Sequence, residues 1–474
     1  MQICKNVLKC CFVSIMLAGS LFVHACTIFM ANDGKNVWIG NNEDELQQMK
    51  YRTWYYPAKK NHYGYAIWTE LSMGKLLDGF SYLNPQGGLN EFGLFMDFTA
   101  IDPISYVKDT QKKDRKRQVV TDILKKCKSV EEALLFINKY NLVKLTHAQL
   151  FIADATGNYA TVTSGYIARK TDRNFSLTNY GIQNGYHEAC HRRDVATHYL
   201  QPASTFQLID IKNILEKSSQ KLPNNLVSNY SMAVNLKTST IYLYYKNDFT
   251  TVSVLSLAAE LKKGKHHTDL ADYFPKSIVP VLESEYKRNG IHAAIAKYSG
   301  LRKSSYDEFN FTNDDVLHLA ISWIDKGKAN DAIILLECLK GYDPQNATIL
   351  AWLGVANRKD NNIDESNRNF TKALETNPGD YVAILYGKQE NQKVVFKLPD
   401  FEAAERVALM GDFTEWTKHP IYMEKENGAW TCEVALPKGE VTYKFMVNDQ
   451  YLADSKNFMH IGKGADIYSK LYVW

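Results

Sequence analysis

Cys26 stands directly after a leader-like stretch and opens a strand-like run, Cys26-Thr27-Ile28-Phe29-Met30, where a flexible tether would otherwise follow. The residues before it read as an export signal. Lys5 and Lys9 form a short basic segment, Cys10 to Val23 an apolar one, and Val23-His24-Ala25 supplies cleavage chemistry. The apolar stretch is shorter than the ~20 residues that span a bilayer. Removal of residues 1–25 is therefore expected to leave a thiol and a free α-amine on one residue. An α-amine with a pKa of about 7.7–8 can accept the thiol proton near neutral pH without a separate histidine.

Val23-His24-Ala25-Cys26 also reads as a bacterial lipobox, which would put acyl chains on the sulfur and make the chain a lipid-anchored scaffold. The β-branched and aromatic residues after Cys26 favour the nucleophile reading, because a strand rather than a polar tether begins there. The chain is accordingly expected to be exported, either periplasmic or secreted, with an outer lipid anchor as the alternative.

Asn32-Asp33-Gly34-Lys35 is a turn between two apolar runs, so residues 26–40 read as a hairpin whose second strand is residues 36–40. Gly40-Asn41-Asn42-Glu43-Asp44 leaves that strand and is folded back towards Cys26. A Cys-Thr start with this block after the first hairpin resembles the choloylglycine hydrolase and penicillin V acylase group of N-terminal nucleophile hydrolases, which carries Gly-Arg-Asn-x-Asp there. The resemblance implies that Asp44 orients the α-ammonium. Asn41 replaces the arginine and removes a charge that favours thiolate, so it is assigned to substrate binding.

Two further blocks extend the resemblance. Asn90-Glu91-Phe92-Gly93-Leu94 and the strand behind it place Asp97 near the family's oxyanion asparagine, as a substrate-binding position whose neighbouring backbone amide could serve the oxyanion. Ser176-Leu177-Thr178-Asn179 is similar to the block supplying the second oxyanion asparagine, making Asn179 the hydrogen-bond donor. In His191-Arg192-Arg193-Asp194, Arg193 is the better spacing match to the family's arginine.

The formal charge of +4 falls to +2 when Lys5 and Lys9 leave with the leader, and no basic field is present to attract nucleic acid. Five cysteines remain, an odd number that fits one reactive thiol. None lies in a close Cys-x-x-Cys or Cys-His pattern, so no metal site is expected, and the chemistry needs no cofactor.

At roughly 150 residues per domain the chain is too long for one unit. Residues 26–258 mix hairpins and helices, an α+β composition that suits the αββα layout the resemblance implies. Residues 259–312 read as a helical connection broken at Pro275 and Pro280. Across residues 313–390, Leu319-Ala320, Leu336 and Asp343-Pro344 recur as Leu353-Gly354, Phe370 and Asn377-Pro378, which resembles two tetratricopeptide units. Two such units bury little core alone and need a neighbouring domain; they also offer a protein-partner surface. Residues 392–474 alternate like strands of a small sandwich. Gly411-Asp412-Phe413-Thr414-Glu415-Trp416 and Tyr443-Lys444-Phe445 resemble a glycogen-binding, early-set immunoglobulin-like module, in which Trp416, Lys444 and Tyr451 fall at glucan-contacting places.

The sequence thus predicts a cysteine amidase acting on a small non-peptide N-acyl amide through a Cys26 thioester. Conjugated bile acids, β-lactam side chains, N-acyl amines and acyl-homoserine lactones all fit that description. Acyl transfer is the alternative if an amine outcompetes water for the thioester.

Overall fold

A computed structural model describes residues 26–71, 85–115, 117, 119–184, 190–201, 203–220, 226–311, 314–389, 392–399, 401, 404–448, 450–462 and 467–474. The expected leader, residues 1–25, lies outside them.

The predicted hairpin forms. β1 (Thr27–Asn32) pairs antiparallel with β2 (Val37–Leu46) around Gly34, whose φ of 82° the turn requires. β2 runs six residues past its expected end and carries the whole Gly40–Asp44 block. β1 and β2 sit inside a six-stranded sheet, flanked by Phe175–Leu177 on one side and by Leu226–Asn235, Thr240–Tyr245 and Asp248–Ser256 on the other. The second sheet has eight strands. Its centre is β3 (Tyr51–Tyr56), β4 (Tyr65–Glu70), β5 (Gly87–Asn90) and β6 (Phe95–Ala100), with Ala148–Ala153 beside β6.

Alternation along the strands builds four layers. Ile28, Met30, Val37 and Ile39 face Trp68, Leu89, Phe95 and Phe151 of the second sheet. Their neighbours Phe29, Ala31 and Trp38 point the other way, onto Ala196, Leu200, Ile211 and Leu215 of helices His191–Leu200 and Leu208–Ser218. On the far side, Ile67, Met96 and Ile152 pack on Ile123, Leu124 and Leu134 of helices Val120–Lys126 and Val130–Ile137. This is helix, sheet, sheet, helix, and it explains why β1 reads as continuously apolar. Gly40 is needed because a Cβ there would lie 2.0 Å from the ring of Phe29, its cross-strand partner.

This first body continues past residue 258. Strand His266–Asp269 pairs with β3, and Arg52 reaches Asp269 at 2.5 Å. A four-residue strand without apolar alternation carries no periodic signal, so the boundary expected at residue 258 falls too early. Pro280 lies in the first turn of helix Val279–Asn289 and starts that helix rather than breaking one, since its fixed φ suits the first turn.

Four helices, Asp315–Asp325, Ala329–Tyr342, Ala347–Lys359 and Ile363–Thr376, follow in the repeat segment. Their apolar faces close on the C-terminal sandwich. Trp352, Leu353, Phe370 and Tyr386 share one core with Phe396, Leu409, Tyr443 and Leu471. The two sandwich sheets meet at Phe396 and Tyr443, whose rings are 5.0 Å apart and edge-to-face. Buried Asp454 ties the joint by accepting the hydroxyls of Tyr381 at 2.5 Å and Tyr443 at 2.6 Å. Burial raises its pKa, while the two hydroxyls work against that shift.

Candidate active site

The β2 alternation decides what each residue after Gly40 can touch. Asn41 and Glu43 share the intersheet face with Val37 and Ile39, whereas Asn42 and Asp44 share the helix-facing side with Trp38. Asn42 accordingly donates to the Leu215 carbonyl at 3.0 Å and the Ser218 hydroxyl at 3.1 Å. Asp44 accepts from the Ser228 hydroxyl and pairs with Arg192 at 3.4 Å. The strand opposite shifts register between Ser228 and Tyr230, a bulge that seats Ser228 across from Asp44 and Tyr230 across from Glu43.

Arg192 ties the site together. Its Nη1 donates to the Cys26 carbonyl oxygen at 2.9 Å and to Thr27 Oγ1 at 3.1 Å, besides facing Asp44. Its Nη2 donates to Asn179 Oδ1 at 3.1 Å, while Asn179 Nδ2 donates to the Ala100 carbonyl at 3.1 Å. A cation in the first turn of helix His191–Leu200 opposes the helix dipole, and Asp44 offsets that cost. Cys26, Asp44 and Asn179 are thereby held by one guanidinium.

Arg193, the residue chosen by spacing, is elsewhere. It pairs with Asp194 at 3.3 Å, lies over the Tyr180 ring, and lines an open cavity of about 730 Å³ beside Phe175, Ser176 and Thr197. Adjacent helix residues point about 100° apart, so motif spacing alone does not decide between two consecutive arginines.

Asp97 is fully buried and fully occupied. Asn41 Nδ2 and Trp68 Nε1 donate to its Oδ2 at 2.8 and 2.9 Å, and the Phe98 amide donates to its Oδ1 at 2.7 Å. The neighbouring amide expected to serve an oxyanion is therefore already committed to Asp97. Asn41 crosses the intersheet space to reach Asp97, and its Oδ1 is buried without a hydrogen-bond partner.

The thiol is buried among acids. Cys26 Sγ donates to Glu43 Oε2 at 3.4 Å. Burial pushes the thiol well above its usual pKa, and the Glu43, Asp44 and Asp97 carboxylates add to the shift; the Asp44 backbone amide pulls the other way. Glu43 is itself raised, first by burial, then by Asp97. Asp44 is pushed up to about 7 by burial, against the pull of Arg192 and the Ser228 hydroxyl. Sequence reading missed Glu43, Ser228 and Trp68; only β2 alternation, which places Glu43 on the Asn41 face, offered a signal.

In the sandwich, Trp416 and Lys444 converge on Tyr468. The two rings are 4.8 Å apart and Lys444 Nζ lies 4.2 Å from the Tyr468 centroid. Lys444 is buried, while Tyr451 is exposed. Tyr468 was not singled out in the sequence.

Residues 394–464 match the family model for the glycogen recognition site of AMP-activated protein kinase. Over the N-terminal half, solved structures similar to the chain include conjugated bile acid hydrolase and penicillin V acylase. A variant and a mutant of the Clostridium perfringens hydrolase are 11% and 12% identical, each covering 52% of this chain and 96% of that chain with a TM-score of 0.39. The Agrobacterium tumefaciens penicillin V acylase is 14% identical, covering 52% of this chain and 90% of that one with a TM-score of 0.37. No curated protein matches the chain.

Proposed function

We propose that the chain is an exported amide hydrolase in which Cys26, freed at its α-amine by removal of residues 1–25, attacks a small non-peptide N-acyl amide. The carrying observation is Arg192, which holds the Cys26 carbonyl, Asp44 and Asn179 in one hydrogen-bonded set. Sulfur forms a thioester, the α-amine serves as the acid–base group, the second Nδ2 hydrogen of Asn179, beside the one given to the Ala100 carbonyl, is donated to the developing oxyanion, and water releases the acid. Conjugated bile acids, β-lactam side chains, N-acyl amines and acyl-homoserine lactones are the substrate classes to screen.

The test is a Cys26→Ser variant assayed on a panel of chromogenic N-acyl amides, with the mature N-terminus read by mass spectrometry. Turnover should disappear while the leader is still removed. Full activity in the serine variant, or a diacylated Cys26, would remove the thioester reading and favour the anchored scaffold.

For the sandwich, a glucan-facing role is supported by the family-model match over residues 394–464 and by the Trp416, Lys444 and Tyr468 cluster.

A further inference from the structure

Glu43 lies within hydrogen-bond reach of the reacting sulfur. It is 6% exposed, and its Oε2 accepts from Cys26 Sγ at 3.4 Å. The groups around it are Asp44 and Glu45 on its own strand, Cys26 at the start of β1, Asp97 from β6, Tyr51 from β3 and Tyr230 from the strand opposite. The hydroxyls of Tyr51 and Tyr230 are buried without hydrogen-bond partners. The one cation paired with this acidic strand among the described residues, Arg192, is on the helix-facing side with Asp44.

In such surroundings, ionising the thiol to solvent would add a second anion beside carboxylates in a low-dielectric site. Passing the proton to Glu43 avoids that, because the negative charge moves only from one oxygen to the neighbouring sulfur. We propose that Glu43 is a catalytic residue which accepts the Cys26 thiol proton on Oε2, so that Cys26 and Glu43 form a proton-sharing pair carrying one negative charge. This rests on the Cys26 thioester reading and divides its proton traffic between two groups.

In acylation the S–H bond breaks, an O–H bond forms on Glu43, and the sulfur lone pair attacks the carbonyl carbon. As the C–N bond breaks, the leaving nitrogen takes a proton from the α-ammonium. In deacylation water gives its proton to the α-amine and its oxygen bonds the acyl carbon. The thiolate then leaves and recovers its proton from Glu43. The sum is amide plus water to acid plus amine.

The readout is the rate at which iodoacetamide alkylates Cys26, followed by mass spectrometry across pH on processed protein. Once the pair has lost its first proton a fraction of its charge sits on sulfur, so wild type should show a low alkylation limb beneath the main thiol limb, which burial and the surrounding acids push above the ordinary thiol range near ~8.5. Glu43→Gln should lose that low limb and lose turnover roughly 100-fold, the lower end for a proton-transfer group. If Glu43 only repels the thiolate, the same variant moves the main limb to lower pH and alkylates faster, which overturns the proposal. An unchanged profile overturns it too. Should Glu43→Gln fail to fold, Glu43→Asp decides: a retained limb with slowed alkylation supports proton acceptance, and an unaltered rate contradicts it. Alkylation needs no substrate, so this outcome stands apart from failure of the amidase assay.

Discussion

Arg192 donates to the carbonyl oxygen of Cys26 at 2.9 Å, although the two residues are 166 positions apart in the chain. The contact fixes the residue expected to become the N-terminus. Arg192→Lys should cut turnover roughly 100-fold, as for loss of a preorganised donor, because an ammonium cannot reach Cys26, Asp44 and Asn179 together. Arg193→Ala should stay within a few-fold of wild type. Steady-state kinetics on the two variants separate these outcomes, and the reverse ranking would put the wrong arginine in the site.

Asp44 makes stability pH-dependent. Its folded pKa of about 7 lies above the unfolded carboxylate value near ~4, so the folded chain holds this proton more tightly. The associated stability is whole below about pH 4 and is lost as pH rises through about 7. Thermal melts across that window should show a falling Tm, and Asp44→Asn should flatten the fall. A Tm that rises over the window would contradict the burial argument.

Gly40→Ala should destabilise the first body by about 1–3 kcal/mol through overpacking, since the new methyl would meet the Phe29 ring. Urea melts of the variant check this; an unchanged midpoint would mean the ring moves aside freely.

Among the described residues, Glu43, Asp97, Arg192 and Tyr230 surround Cys26, and all four belong to the first body. A chain ending near residue 310 should keep measurable turnover on a small acyl amide. A chain ending near residue 390 should fare worse in solubility, because it exposes the core that Trp352 and Tyr386 share with the sandwich. Phe401 touches His191 with rings 4.5 Å apart, next to Arg192, so the shorter chain is expected to lose some rate. Turnover at matched folded fraction by circular dichroism is the comparison, and complete loss would place part of the site in the C-terminal half.

The layered first body was legible because β1, β2 and the later hairpins carry strong alternation or apolar runs between turn residues. That Cys26, Asp44 and Asn179 come together was legible through motif order. Glu43 and Ser228 were not: one occupies a variable motif position, and the other reaches Asp44 only through a bulge that no local pattern announces. Arg192 was missed in favour of its neighbour because the helix start was not fixed by sequence. That the two repeats need a neighbouring domain was legible from their number, but not that the sandwich is that neighbour, since apolar periodicity gives a buried face but not what covers it.

In the sandwich, Trp416→Ala and Tyr468→Ala should each weaken retention on immobilised glycogen, while a change at an exposed tyrosine outside the cluster, Tyr422→Ala, should not. Equal retention of all three would detach glucan binding from this cluster.

Cys26 is expected to carry the acyl group during turnover. Wild-type protein mixed with a slow N-acyl amide, quenched in acid and digested, should yield a mature N-terminal peptide beginning at Cys26 and heavier by one acyl group. An N-terminal peptide that never gains the acyl mass while product accumulates, or one that is already diacylated before substrate is added, would mean that Cys26 is not the acyl carrier.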